Sequence, residues 1–198
     1  INRLIEIFGI LISIFGIMLL ISLASYSPSD PNFIFPEKTD IKNLFGFHGS
    51  YTADFFFQSF GFISYLIPLT YFFTGLSILK KKQTFLIISN TFFIVIYTII
   101  GSIFFDFFYT NAFKLYINGN GGFVGNYFNN TFVNTIISTN EKIFYYILIV
   151  LIFFLFLISI NFNLKNFIMS LKRIINFIFR KNQKNYTNKN EIINEYIP

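Results

Sequence analysis

"IFYYILIVLIFFLFLISI", Ile143–Ile160, is eighteen residues without a charge. A helix needs about 20 apolar residues to cross a hydrocarbon core about 30 Å thick. This run therefore reads as a membrane span, and it sends the reader back along the chain for others. Leu4–Leu23, "LIEIFGILISIFGIMLLISL", is a second run; Glu6 lies one turn inside its start, within reach of the interface. Phe55–Leu79, "FFFQSFGFISYLIPLTYFFTGLSIL", and about Phe85–Phe105 complete a set of four. The spans are thus expected at about 4–23, 55–79, 85–105 and 143–160. The first run is too long for a secretory h-region and lacks a small-x-small cleavage site, so no cleavable signal is read there.

Composition agrees. Of 198 residues 54% are hydrophobic and only 12% charged, with mean hydropathy +0.60. Soluble domains carry about 25% charged residues. With no cysteine there is no disulfide framework, thiolate metal site or cysteine nucleophile. The one histidine, His48, reads as a plain loop residue, since His metal sites need further ligands nearby. Phenylalanine occurs 32 times beside abundant Ile, Asn, Lys and Tyr. That is the bias of AT-rich codons, and it is not read as an aromatic binding surface.

The links give the direction. Lys80–Lys82 join spans two and three, and Lys165, Lys172, Arg173, Arg180, Lys181, Lys184 and Lys189 follow span four. With Arg3, eleven basic residues fall on one side; Lys38, Lys42, Lys114 and Lys142 fall on the other. The positive-inside rule puts both termini in the cytoplasm and leaves two outer loops, Ala24–Asp54 and Asp106–Lys142. The expected fold class is an all-α membrane protein with four transmembrane helices in residues 1–162. Short amphipathic helices are expected in the second outer loop and after the last span.

No charge falls at a span centre; Asp54, Asp106 and Glu141 sit at outer edges. Ion-coupled transporters place ionisable groups mid-membrane, so a pump is disfavoured. Pro68, in the middle of span two, lacks an amide donor and is expected to kink that helix. Gly61 and Gly75 flank it and suit close helix packing. In the first outer loop, "SYSPSDPNF" (Ser25–Phe33) places Pro28 and Pro31 to end a helix, with a turn around Asp30. In "NLFGFHGSYTAD" (Asn43–Asp54), Gly46 and Gly49 punctuate the chain, and Ser50 or Thr52 is expected to cap span two.

The second loop holds "NGNGGFVGN", Asn118–Asn126, with Gly119, Gly121, Gly122 and Gly125. The dinucleotide fingerprint fails because its third glycine position holds Val124, and no Walker lysine follows Gly125. The glycines are expected to supply positive φ and a turn into one amphipathic helix. That helix would lie on the outer membrane surface or on the bundle. After span four, Asn163–Lys181 reads as a basic juxtamembrane amphipathic helix. Lys165, Lys172, Arg173 and Arg180 would face anionic headgroups. Residues 182–198 are polar and unpatterned and read as the start of a flexible cytoplasmic linker.

In order, "SYSPSDPNF", "NLFGFHGSYTADFFFQSFGFISYLIP" and "GNGGFVGN" resemble the N-terminal four-transmembrane domain of the FtsK/SpoIIIE family of bacterial DNA translocases. Its pattern places Pro28, Asp30, Pro31, Gly46, Gly49, Ala53, Asp54, Gly61, Pro68, Gly119, Gly121, Gly122 and Gly125 at landmark positions. The resemblance implies a membrane anchor in the bacterial inner membrane at the division septum, contacting other division proteins and assembling as a hexamer. It implies DNA, ATP and magnesium only for a RecA-like motor that these residues do not match, so no catalytic, cofactor or metal residue is assigned. The sequence is expected to be either a fragment or a split protein. The rival readings are a small polytopic transporter or channel, and a motor-less membrane scaffold.

Overall fold

The computed structural model describes residues 2–32, 40–110 and 118–163, with seven further positions between 165 and 176. The chain divides into two units, Ile1–Phe162 and Asn163–Pro198. The first contains helices α1 (Asn2–Ala24), α2 (Gly46–Phe60), α3 (Leu66–Lys81), α4 (Leu86–Phe108), α5 (Gly122–Asn129), α6 (Phe132–Thr139) and α7 (Glu141–Ser159), with a 3-10 segment, Gly61–Tyr65, between α2 and α3. No strand occurs among the described residues. Four helical stretches are long and apolar enough to cross a membrane: Asn2–Ala24, Gly46–Lys81, Leu86–Phe108 and Glu141–Ser159.

Lipid tails are as apolar as leucine, so burial from lipid drives spans together little; small residues and close contact do it instead. α1 presents Gly9, Ser13 and Gly16 to Pro68, Phe72 and Gly75 of α3. A methyl on Gly16 would lie 2.6 Å from the Phe72 nitrogen and 2.8 Å from the Pro68 carbonyl oxygen. Ser13 Oγ donates to the Phe72 carbonyl at 3.3 Å. Around this seam Leu19, Leu23, Ala53, Phe57, Ile63, Ile67, Ile94 and Tyr97 form the core. α7 packs mainly on α4 and buries only Ser159 fully.

The second span differs from its expectation. The chain breaks at Gly61, not at Pro68. Pro68 is the third residue of α3 and is buried. A first-turn amide has no intrahelical acceptor to lose, so proline is tolerated there. The break is a sharp fold. Eight residues of straight helix span about 12 Å, yet Ser64 Oγ donates to the Phe56 carbonyl at 2.9 Å. Gly61, at φ 71° and ψ −149°, occupies backbone space that is essentially glycine-only. The segment 46–81 is therefore two helices joined at a fold and not one straight helix. Phe55–Phe60 belong to α2, and the residues after the fold run through the 3-10 segment into α3. α2 also begins at Gly46, so Ser50 and Thr52 lie inside it and cap nothing. Their hydroxyls donate to the Pro31 carbonyl at 2.6 Å and the His48 carbonyl at 2.7 Å.

At the opposite end three helix termini meet. Lys82, the left-handed residue closing α3, pairs with Glu6 of α1. Lys81 Nζ donates to Asn161 Oδ1 at 3.4 Å, just past α7. Between the ends, described polar side chains satisfy one another. Thr70 Oγ1 lies 3.0 Å from the Tyr97 hydroxyl and 3.1 Å from Ser159 Oγ. Asn90 Nδ2 donates to Thr74 Oγ1 at 2.8 Å, and Asn161 Nδ2 donates to Asn90 Oδ1 at 3.1 Å.

In the second unit, the described residues Lys165, Ile168, Met169, Lys172, Arg173, Ile175 and Asn176 are helical, and all are exposed. Arg180 and the expected linker, 182–198, lie outside the described residues.

Candidate functional site

The landmark residues assemble a cap over the end of the bundle where α2 lies. Pro28 occupies the second position of a turn that the Asp30 amide closes on the Ser27 carbonyl at 3.1 Å, where its fixed φ is already suited. α1 has ended four residues earlier, at Ala24. The turn aims the Asp30 carboxylate at the segment before α2: Oδ1 accepts from the Lys42 amide at 3.0 Å and Oδ2 from the Asn43 amide at 2.9 Å. Asp30 is 4% exposed. An ionised acceptor in such a place gains about twice a neutral bond.

Asn43 carries the connection further. Its side-chain amide donates to the Ser22 carbonyl at 2.8 Å, and its Oδ1 accepts from the Phe45 amide at 3.1 Å. Gly49 faces this side chain so closely that a methyl there would overlap Asn43 Oδ1. Two stretches a dozen residues apart thus form one clasp around the end of α1. Gly46 turns the chain into α2 with φ 60° and open space around it. Inside α2, Ala53 packs in the core, while buried Asp54 accepts from Tyr26 at 3.2 Å and Gln58 at 3.3 Å. Burial, and then the charge of Asp54, push the Tyr26 hydroxyl well above its ordinary range. It therefore stays a donor at neutral pH.

The glycine-rich stretch completes the cap. The Asn120 carbonyl accepts from the Phe62 amide at 3.0 Å, at the fold in the second span. A methyl on Gly61 would overlap that carbonyl; one on Gly122 would lie 2.6 Å from the backbone nitrogens of Phe60 and Gly61. Methyls on Gly121 and Gly125 would overlap the Ser102 carbonyl and crowd Asp106 Cβ on α4. Ser102 Oγ donates to the Phe60 carbonyl at 2.9 Å, and Asn129 Nδ2 donates to Asp106 Oδ2 at 2.8 Å. Gly119 and Gly122 do have positive φ. Gly121 does not, with φ −90°. Its smallness serves contact, so the turn explains only part of the cluster.

Beyond it, the expected single surface helix is two. α5 ends at Asn129, and Thr131 starts α6 by accepting from the Val133 amide at 3.4 Å. The residues that reasoning from sequence missed are Tyr26, Asn43, Gln58, Ser102 and Asn120. Only Asn120 carried a signal, its place among glycines. Among the described residues no group of three His, Cys, Asp or Glu side chains is arranged to hold a metal. Lys165, Lys172 and Arg173 belong to the second unit.

Four apolar helices, a small-residue seam and a backbone-packed cap define a multi-pass membrane domain. The chain belongs to the family described as the 4TM region of DNA translocase FtsK/SpoIIIE, whose model matches residues 2–172. DNA translocase FtsK of Rickettsia bellii (strain RML369-C) is 34% identical over 74 residues, 37% of this chain and 10% of that protein. DNA translocase FtsK of Azospirillum brasilense is 38% identical over 66 residues, 32% and 10%. That of Rickettsia prowazekii (strain Madrid E) is 37% identical over 67 residues, 34% and 9%. The aligned part of the chain thus spans about a tenth of the length of these relatives. No solved structure matches.

Proposed function

We propose that this chain is the membrane anchor of an FtsK-like DNA translocase, holding it at the division septum and bringing its copies together. The observation that carries the reading is the family match over residues 2–172, which is a match to the family's membrane region alone. On this reading the chain's own contribution is non-catalytic. ATP, magnesium and DNA are handled by a motor outside these residues, and the cap is the surface offered to other division proteins. The end of the bundle that carries Lys80–Lys82 faces the cytoplasm of the bacterial inner membrane, where anionic lipid attracts it.

A fluorescent fusion of the 198 residues in dividing cells is expected to concentrate at mid-cell, and cross-linking in membranes to give a ladder up to a hexamer. A uniform rim of fluorescence throughout the division cycle would remove the septal role. A single uncross-linked band would remove the assembly role.

A further inference from the structure

We propose that α2 is an interfacial helix whose aromatic stripe, Phe47, Tyr51 and Phe55, lies in the lipid headgroup layer at the capped end of the bundle. The stripe follows from helical spacing: positions four apart share a face. Phe47 and Phe55 are 48% and 55% exposed, and the Phe47 and Tyr51 rings sit 4.1 Å apart. The opposite face, Gly49, Ser50, Ala53, Asp54 and Phe57, is buried on the protein. The one carboxylate of α2, Asp54, is on that buried face, so the exposed face carries no negative charge. His48, Thr52 and the part-exposed Gln58 accompany the rings.

The fold fixes the depth of this face. The segment from Asn43 to Tyr65 is tied at both ends to adjacent carbonyls of α1: Asn43 to Ser22 at 2.8 Å and Tyr65 to Leu23 at 3.3 Å. α2 therefore runs across the top of the bundle, level with the end of α1, where the apolar run Leu4–Leu23 stops and hydrocarbon gives way to headgroups. Helices with one apolar face lie in that plane, and aromatic rings with a polar edge are enriched there. A continuous aromatic row at this depth meets lipid. The inference concerns α2 and lipid alone and holds whichever side of the membrane the cap faces, so it stands or falls independently of the septal role.

The chain has no tryptophan, which makes single-tryptophan variants clean depth reporters. The full chain carrying Phe47→Trp or Phe55→Trp is reconstituted into phosphatidylcholine vesicles. The acyl chains are brominated near the headgroup in one preparation and near the bilayer centre in the other. Phe153→Trp, on the exposed mid-face of α7, is the deep reference. The α2 variants are expected to lose more emission to the shallow bromines than to the deep ones, with little loss to aqueous acrylamide; Phe153→Trp is expected to show the reverse lipid order. Strong acrylamide quenching without lipid quenching would place the stripe in water and overturn the proposal. Emission that neither quencher reaches would place it against protein, a second copy included, and would overturn it equally.

Discussion

The cap and the interior of the bundle are held by different means. At the capped end, backbone rests on backbone: Asn120 on Phe62, and Gly121, Gly122 and Gly125 against Gly61, Ser102 and Asp106. Within the bundle, described side chains join α3, α4 and the end of α7 through Thr70–Tyr97–Ser159 and Thr74–Asn90–Asn161, and Glu6–Lys82 joins α1 to the end of α3. Backbone contact has no slack, because adding a single carbon forces whole segments apart. Side-chain bonds in a membrane are adjustable, and each is worth about 0.6 kcal/mol, since the separated helices also find partners. The cap is therefore the rigid reference of this domain, and the docking of α7 on α3 and α4, where side chains make the polar contacts, is the part that can adapt.

Substitutions test that contrast in descending order, each read as the shift in thermal unfolding of the detergent-solubilised chain. Gly61→Ala combines glycine-only backbone with overlap on the Asn120 carbonyl. It is expected to cost about 3 kcal/mol or more, the sum of strain and overpacking. A loss below that of Gly46→Ala would break the comparison. Asp30→Ala removes the acceptor of the Lys42 amide and of the buried Asn43 amide and is expected to cost about 2–3 kcal/mol; an unchanged transition would mean that the clasp does not hold the cap. Gly46→Ala introduces positive φ strain without any overlap, and its expected loss is about 1 kcal/mol. Tyr97→Phe, in the interior, deletes one hydroxyl bond and is expected to lose about 0.6 kcal/mol. A loss equal to that of Asp30→Ala would erase the distinction between the cap and the interior.

Much of this was readable beforehand, and the limit is physical. Hydropathy reports how a residue partitions into lipid, so Leu4–Leu23 and Ile143–Ile160 stood out as spans. It is blind to direction, so Phe55–Phe60 merged with the span that follows although the chain folds at Gly61. Pro68 invited a kink because the rule for proline is local, whereas its cost depends on where the helix begins. The glycines of 119–125 were recognisable as special. Their role was not, because the atoms that require them, at Phe60, Gly61, Ser102 and Asp106, are distant in sequence. Asn43 and Asp30 look like ordinary loop residues until the turn at Pro28 brings one against the amide of the other.

The bond from Phe62 to Asn120 also bears on how the molecule comes into being. The second span leaves the ribosome long before the residue that receives its free amide exists. Some sixty residues, including all of α4, must be synthesised before Asn120 arrives. Until then the amide freed by the fold must be satisfied by water, by other backbone, or by a helper protein. Insertion of the first two spans and completion of the cap are therefore separate events in time. A nascent chain halted before residue 120 is expected to be embedded yet unlocked.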